Sequence, residues 1–194
     1  MKKLKKFDIL ELYRAKNTVL TTKEIAILWG EKHLSTLKAR IHYYVKQGKL
    51  HQLRRGIYVK DQDNYDVLEL GSKIYTPSYM SFETVLREAG IIFQYYQAIF
   101  FASRFSRKVI CDHSRFVFRK LKDEILYNPN GIVHRGAYSI ASPERAFLDM
   151  IYLFPEYYFD NLKSLQWEKC FQLVTLYQSK QLINRLNSYH KLYA

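Results

Sequence analysis

The chain has little cysteine, proline and glycine: two, four and seven residues in a length of 194. Cys111 and Cys170 lie far apart in the sequence, which argues against a disulfide framework or a zinc site and favours two reduced thiols. So few prolines and glycines leave no room for a low-complexity segment. Because 48% of the residues are apolar, the chain can bury a core, either as one ordinary domain or as two small ones.

The sequence also lacks an apolar run long enough to cross a membrane, which takes about 20 residues. Polar side chains interrupt both of the longest candidates, residues 89–102 and 146–159. Asp8 and Glu11 follow the basic start of the chain, where a signal peptide would have its apolar region. We therefore expect a cytoplasmic protein with no membrane segment.

Acidic residues are scarce as well: 18 Asp and Glu stand against 31 Lys and Arg, a net charge of +13. Residues 1–60 hold 15 cations and 4 acids, whereas residues 61–194 hold 16 and 14. The first third therefore carries nearly all of the excess, which indicates a local site for a polyanion. A basic surface that only keeps the protein soluble is the alternative interpretation.

The basic third begins with two predicted helices. Apolar residues at helical spacing give the first, over residues 4–16, one apolar face. Thr21 and Glu24 form the T-x-x-E pattern of a capping box, which starts a second helix that Gly30 can end. The predicted inner face of this second helix consists of Ile25, Leu28 and Trp29.

A third helix is predicted over residues 35–47, and a hairpin is predicted after it. The buried stripe of the third helix is predicted to be Leu34, Leu37, Ile41, Tyr44 and Val45. Short β-prone runs at 50–53 and 57–59 flank Arg54-Arg55-Gly56, a tight turn with two cations at its tip. Three helices and a basic hairpin are the plan of a winged helix-turn-helix, whose third helix enters the major groove of DNA.

The side chains left outside the buried stripe are the candidate contacts with DNA. On the third helix they are Thr36, Ala39, Arg40 and Tyr43, with Lys38, His42 and Lys46 beside them. Arg40 can bond to a guanine edge, and Thr36 can touch a thymine methyl group or a phosphate. Arg54, Arg55 and Lys60 suit phosphates, which position a protein without reading sequence. An ordinary solvated charge is the alternative interpretation of each cation.

A polar, turn-rich stretch at residues 60–66 predicts the domain boundary. We place a winged helix-turn-helix DNA-binding domain in residues 1–62 and a second domain in residues 63–194. Helices around a small antiparallel sheet are predicted for the second domain, so the expected fold class is α+β. Ser142-Pro143-Glu144 is its strongest helix start, because it combines a capping serine, a first-turn proline and an acid near the positive end of the helix.

The second domain shows no constellation of catalytic or metal-binding residues, so we expect neither an enzyme nor a bound cofactor or metal. Asp61 and Asp63 form a D-x-D pattern that could hold Mg²⁺, but a solvated linker is the simpler interpretation. Cys111 and His113 are close in sequence, with no third group to orient them, and a surface turn is expected there. Asp149 is expected on the surface of its helix.

Four segments of the chain are distinctive. The first, residues 22–59, contains the short motifs "TKEIA", "STL", "QGKL" and "RRGIYV". The other three are "PSYMSFETVLREAGI" at 77–91, "FVFRKLK" at 116–122 and "YSIASPERAFLDMIYL" at 138–153. In this order they resemble the AbiEi-type antitoxins of type IV, or abortive-infection, toxin–antitoxin systems. The resemblance spans most of residues 20–160.

The resemblance implies a cytoplasmic bacterial protein with two roles in phage defence. Its N-terminal domain would bind double-stranded DNA at the inverted repeats of an operator and repress its own operon. Its C-terminal domain would counteract a nucleotidyltransferase toxin encoded next door. In such systems the antitoxin opposes the effect of the toxin, and a stable complex between the two is not expected.

Two other functions stay open on the sequence. One is a stand-alone winged-helix transcriptional regulator with a ligand- or partner-sensing C-terminal domain. The other is an enzyme, such as a nuclease or transferase, that uses the winged helix only to dock on nucleic acid. An isolated gene would favour the regulator, and a metal-dependent activity that needs Asp61 or Asp63 would favour the enzyme.

Overall fold

The computed structural model describes residues 9–193, and the chain divides into two compact units between Ile74 and Tyr75. Both units contain helices and strands, so the predicted α+β class is confirmed. The division falls after a helix at Val67–Ile74, whereas the sequence placed the boundary at residue 62, in the polar stretch before this helix.

Within residues 9–74, the first unit contains three short strands and four helices. They are α1 (Ile9–Arg14), β1 (Val19–Thr21), α2 (Thr22–Trp29), α3 (Leu34–Lys46), β2 (His51–Arg54), β3 (Ile57–Val59) and α4 (Val67–Ile74). β3 lies between β1 and β2 in an antiparallel sheet. β1 was not predicted from the sequence, because three residues are too few to show an alternating pattern.

α2 begins and ends where local signals predict. The Thr21 side chain accepts a hydrogen bond from the Glu24 N–H, and the Glu24 carboxylate accepts one from the Thr21 N–H, which completes the capping box. Gly30 ends the helix with a φ of +61°, in the left-handed region that glycine favours. Trp29 is buried as predicted, but Leu28 is 38% exposed, because it lies at the edge of the narrow stripe that this short helix buries.

α3 contributes Leu37, Ile41 and Tyr44 to the core of the first unit, as predicted. The prediction for Leu34 is wrong: this side chain is 57% exposed. Leu34 is the first residue of α3, so it lies beyond the part of the helix that packs on the core. The buried core of the unit consists of Leu12, Leu20, Ile25, Trp29, Leu37, Ile41, Tyr44 and Leu50.

α4 belongs to the first unit because buried polar contacts connect it to β1 and α2. The Glu69 carboxylate accepts hydrogen bonds from the N–H groups of Thr18 (2.8 Å) and Val19 (3.2 Å). Lys73 Nζ lies 2.8 Å from carboxylate oxygens of both Glu69 and Glu24. The contacts of Glu69 with Thr18 and of Lys73 with Glu24 span 51 and 49 positions, so the polar stretch before α4 is a loop within the unit rather than a boundary.

The second unit contains a six-stranded sheet and five α-helices. In chain order the elements are β4 (Ser78–Met80), α5 (Phe82–Glu88), β5 (Ala98–Ser103), β6 (Arg107–Cys111), β7 (Ser114–Lys120), α6 (Asp123–Leu126), β8 (Ile132–Arg135), β9 (Tyr138–Ala141), α7 (Pro143–Leu153), α8 (Trp167–Leu173), a 3₁₀ turn (Val174–Tyr177) and α9 (Lys180–Tyr193). The strand order is β6-β7-β5-β4-β9-β8.

The prediction of a small antiparallel sheet is wrong in size and in strand direction. The sheet is mixed, because β5 pairs with β7 and β4 pairs with β9 in parallel. β7 forms a hairpin with β6 and then lies beside β5, so that β6 becomes the edge strand. A pairing of this kind depends on contacts between distant segments, which the short β-prone runs of the sequence do not specify.

α7 starts as predicted and runs through the core of the second unit. The Ser142 side chain accepts a hydrogen bond from the Arg145 N–H, and Pro143 occupies the first turn. Every residue from Glu144 to Ile151 is buried, because α7 packs against α5, α8, α9 and the sheet. The surface position predicted for Asp149 is therefore wrong: this carboxylate is completely buried.

Candidate nucleic-acid interface

The orientation of α3 is set by its buried stripe. Because Leu37, Ile41 and Tyr44 pack into the core, the opposite side of the helix faces solvent. The predicted contact residues that are exposed on this side are Thr36, Lys38, Ala39, His42, Tyr43 and Lys46. α3 contains no acidic residue, so this exposed side, which we call the α3 face, carries only positive formal charge.

Arg40 and Tyr43 occupy the middle of the α3 face. Arg40 lies one turn after Thr36 and is half-buried. Tyr43 is 52% exposed, and its ring meets the edge of Tyr44 at a centroid distance of 5.3 Å. Tyr44 is itself buried against Trp29, as the sequence analysis expected. The exposed Tyr43 ring therefore rests on an aromatic pair that belongs to the core.

The hairpin between β2 and β3 presents Arg54 and Arg55 at its tip. Both side chains are exposed. A bulge in the β2–β3 pairing precedes the two arginines. Gly56 follows them with a φ of +79°, a conformation that glycine adopts without strain. The Gly56 carbonyl accepts a hydrogen bond from the Thr22 N–H at 3.0 Å. The start of α2 thus holds the hairpin tip, which we define as residues 54–56.

Lys60 points into the first unit, unlike the other predicted phosphate contacts. Its Nζ donates a hydrogen bond to the Ala15 carbonyl at 2.7 Å. Burial lowers the pKa of Lys60 from its usual value. The nearby charge of Glu69 raises this pKa and that of Lys73 lowers it, and both effects are smaller than that of burial. Lys60 therefore joins the end of β3 to the segment after α1 and is not part of the exposed basic surface.

The residue patterns considered for metal or nucleophilic chemistry lie in surface turns. The Asp63 N–H donates a hydrogen bond to Asp61 Oδ1 at 2.9 Å, which is an Asx turn. Cys111 and His113 lie at the turn between β6 and β7; the cysteine is buried, whereas the His113 side chain is 97% exposed. Across residues 9–193, no group of three or more His, Cys, Asp or Glu side chains is placed to hold a metal ion.

A buried polar network in the second unit escaped the sequence analysis. Arg145 lies at its centre, and its guanidinium donates hydrogen bonds to the carbonyls of Ile125 (2.6 Å) and Asn130 (2.8 Å) and to the Tyr79 hydroxyl (3.0 Å). Arg145 Nε also lies 3.3 Å from Asp149 Oδ1. The signal that could have revealed the pair is an Arg and an Asp four residues apart on an otherwise apolar helix.

Asp149 completes this network by accepting three hydroxyl hydrogen bonds. The donors are Tyr177 at 2.6 Å, Ser81 at 2.8 Å and Tyr79 at 3.0 Å. Burial, followed by the neighbouring Asp149 charge, raises the pKa of Tyr79 and of Tyr177 well above 10, so both hydroxyls keep the protons that they donate. Because the network is closed to solvent, we assign it to the stability of the second unit.

No protein-family model matches the chain, and a search of curated proteins gives no significant match. No helix within residues 9–193 is both long enough and apolar enough to cross a membrane.

Proposed function

We propose that the first unit is a winged helix-turn-helix that binds double-stranded DNA, and that the chain is the autorepressor and antitoxin of a type IV toxin–antitoxin system. The observation that carries the DNA-binding part is the combination of two exposed basic features in one unit. The α3 face has no acidic residue, and the hairpin tip presents Arg54 and Arg55.

The connection between α2 and α3 supports this proposal. Four residues separate Trp29 from Leu34, and the first of them is the left-handed Gly30. A turn of three or four residues that contains glycine is typical of helix-turn-helix motifs. β2 and β3 form a hairpin directly after α3, which is the position of the wing in a winged helix-turn-helix.

In this arrangement the two features have different tasks. The B-DNA major groove is about 12 Å wide and admits an α-helix, so α3 would lie in it with Thr36 and Arg40 towards the base edges. Lys38 and Lys46 would lie near the phosphates at the sides of the groove. The arginines of the hairpin tip would bind phosphates and fix the orientation of the unit without reading bases.

The antitoxin part is an inference from the resemblance to AbiEi-type proteins. The segments that carry it in the second unit, residues 77–91 and 138–153, pack together. Met80 of β4 pairs with Ile140 of β9, and the Ser81 hydroxyl donates to Asp149 at 2.8 Å. The second unit would oppose a nucleotidyltransferase toxin in the cytoplasm without forming a stable complex with it.

A gel-shift experiment with a salt titration tests the DNA-binding part. The full chain is titrated onto DNA from immediately upstream of its own gene and onto a scrambled sequence of equal length. We expect the upstream DNA to bind about 10³-fold more tightly or better, with an affinity that falls steeply as salt rises. Weak binding that is equal on both sequences would rule out an operator-specific repressor.

A co-expression experiment tests the antitoxin part. The neighbouring nucleotidyltransferase gene is induced with and without the full chain, and bacterial growth is measured. We expect the chain to restore growth, and an Arg54→Ala/Arg55→Ala variant with weakened DNA binding to restore it as well. If growth stays arrested although the chain is produced, the second unit is not an antitoxin, and a regulator with a sensing domain becomes the better interpretation.

A further inference from the structure

The second unit holds 15 Lys and Arg against 10 Asp and Glu, and nearly half of these cations lie in one segment. Residues 103–122 contain seven Lys and Arg and one Asp. This segment includes β6, at the edge of the sheet, and its neighbour β7. The exposed cations in it are Arg104, Arg107, Lys108, Arg115, Lys120 and Lys122. A surface with such a local excess of positive charge attracts anions.

A pocket of about 530 Å³ opens beside this basic segment. Its size lies within the range of about 300–1,000 Å³ that is typical of small-molecule sites. Aromatic rings and cations line it together: Tyr96, Phe100, Arg107, Lys108 and Arg119. The rings of Tyr96 and Phe100 meet edge to face at a centroid distance of 5.5 Å.

Arg119 is a rigid part of the pocket wall and is already paired. Its guanidinium donates two hydrogen bonds to the Glu83 carboxylate, at 2.6 and 2.5 Å. It also lies 4.7–4.8 Å from the ring centroids of Phe82, Phe100 and Phe154. Since Glu83 neutralises Arg119, the attraction for an anion must come from other cations.

Arg107 and Lys108 provide that charge. Lys108 is paired with Val117, on the face of the sheet that carries Phe100 and Arg119. Arg107 is paired with Phe118, on the other face, and lines the pocket at the exposed edge of the sheet. The guanidinium of Arg107 donates to the Ser106 carbonyl at 3.2 Å, and neither side chain has an acidic partner among residues 9–193. Ser106 is also part of the lining; its hydroxyl oxygen accepts a hydrogen bond from the Lys120 N–H at 3.1 Å, and its O–H can donate to an anion. Two cations and a hydroxyl are groups that bind a phosphate through charge-assisted hydrogen bonds.

The aromatic side of the pocket is held in place by its surroundings. The Tyr96 hydroxyl lies 3.2 Å from the Tyr157 hydroxyl and donates to Gln94 at 2.8 Å. Phe82, next to Glu83, has a φ of +57°, which is a strained conformation for a bulky residue and persists only where packing enforces it. A preorganised aromatic wall next to two cations suits the stacking of a nucleobase.

We propose that this pocket binds a nucleotide, with its phosphate on Lys108, beside Arg107 at the edge of the sheet, and its base against Tyr96, whose ring packs on the buried Phe100. The nucleotide is either free or part of a single strand. A strand could continue along the sheet, because the pairing of β6 with β7 places Arg115 on the same face as Lys108. The proposal is independent of DNA binding by the first unit.

Calorimetric titration of the full chain tests this proposal. The ligands are the four ribonucleoside monophosphates, inorganic phosphate and a short single-stranded oligoadenylate. The pocket variant is Arg107→Ala/Lys108→Ala, and the matched control is Arg54→Ala/Arg55→Ala, which removes the same charge from the first unit. We expect nucleotide binding to weaken about tenfold or more in the pocket variant and to change less than about twofold in the control.

Two further measurements separate the parts of the site. Tyr96→Leu is expected to weaken nucleotide binding several-fold and to leave phosphate binding unchanged, because it removes only the ring. For the oligoadenylate, the slope of log K against log salt is expected to fall by about 0.7 in the pocket variant, since one phosphate contact is lost. Gel shifts on operator DNA should be the same for the pocket variant and the wild-type chain.

Each outcome decides the proposal. An oligoadenylate that binds about tenfold more tightly than AMP, through the same residues, identifies the ligand as a nucleotide within a strand; equal affinities identify a free nucleotide. Wild-type affinity in the pocket variant would overturn the proposal. Phosphate that binds as tightly as every nucleotide would overturn it too, because the aromatic wall would then contribute nothing. Lys108→Glu, a single change at an exposed site, provides a second variant should the double variant fold poorly.

Discussion

Arg145 and Asp149 form an ion pair one helical turn apart, with both side chains completely buried. The guanidinium lies 5.4 Å from the ring centroid of Tyr79 and 5.5 Å from that of Tyr177. Tyr79 belongs to β4 and Tyr177 to the 3₁₀ turn before α9, so this one pair connects the central helix to both the sheet and the C-terminal helices.

Loss of Asp149 should therefore destabilise the second unit strongly. Asp149→Ala leaves the Arg145 guanidinium buried without a counter-charge, and we expect the free energy of unfolding to fall by about 3–5 kcal/mol. Urea denaturation followed by circular dichroism measures the change. Asp123→Ala is the matched control, because it breaks the exposed ion pair with Arg104 and should cost less than about 1 kcal/mol. Equal losses in the two variants would contradict a special role for the buried pair.

The stability of the first unit should depend on pH through Glu24. Burial alone would raise the pKa of Glu24, but hydrogen bonds from Lys73 and Thr21, together with the Lys73 charge, outweigh it and hold the pKa below 4.5. An acid whose pKa is lower in the folded state stabilises the fold where it is ionised. We therefore expect this contribution to be complete above pH 4.5 and to be lost as the pH falls through the lowered pKa.

Thermal unfolding of a Trp167→Phe chain, in which the buried Trp29 is the remaining tryptophan, measures this dependence by fluorescence. Glu24→Gln should lower the melting temperature at pH 7. In this variant the melting temperature should also fall less steeply as the pH is lowered. Glu11→Gln is the control, since Glu11 lies on the surface of α1 and is not in contact with Lys73. A wild-type acid profile in the Glu24 variant would show that other carboxylates determine the acid stability of this unit.

Arg40 should read bases if the proposed orientation of α3 is right. Arg40→Ala is expected to cost about 1–3 kcal/mol of binding free energy on the operator and to relax the preference at one base position. Competition gel shifts with operator and random DNA measure both effects. Lys38→Ala should instead weaken binding to the two DNAs equally, as expected of a phosphate contact. Equal losses on both DNAs for Arg40→Ala would show that Arg40 does not read sequence.

The two arginines of the hairpin tip should contribute mainly through phosphates. In the Arg54→Ala/Arg55→Ala variant we expect the slope of log K against log salt to fall by about 1–2, on operator and random DNA alike. Lys180→Ala/Lys191→Ala removes the same charge from exposed positions on α9 and should leave the slope unchanged. An unchanged slope in the arginine variant would argue against the hairpin as a DNA-binding wing.

Several elements could be predicted from the sequence because their signals act over a single turn. Thr21 and Glu24 cap α2 with atoms three residues apart, and Ser142 caps α7 in the same way. The hairpin strands predicted at residues 50–53 and 57–59 are found at His51–Arg54 and Ile57–Val59. The exposed side of α3 followed from the helical spacing of its apolar residues, so most of the candidate DNA contacts could be named in advance.

Other features were decided by tertiary structure, because they join residues that are distant in the chain. Tyr79 meets Asp149 across 70 positions, and this contact turns a residue expected on the surface into the centre of a buried network. Lys60 reaches back 45 positions to the Ala15 carbonyl and is thereby removed from the basic surface.

The charge excess of the first third and its helix signals are properties of the sequence itself. The parallel strand pairs and the pocket beside Arg119 arise only when separate segments pack together. The physical reason is the range of the interactions: capping and helical periodicity act within a few residues, whereas strand pairing and the solvation of a buried charge depend on which distant groups the fold brings into contact.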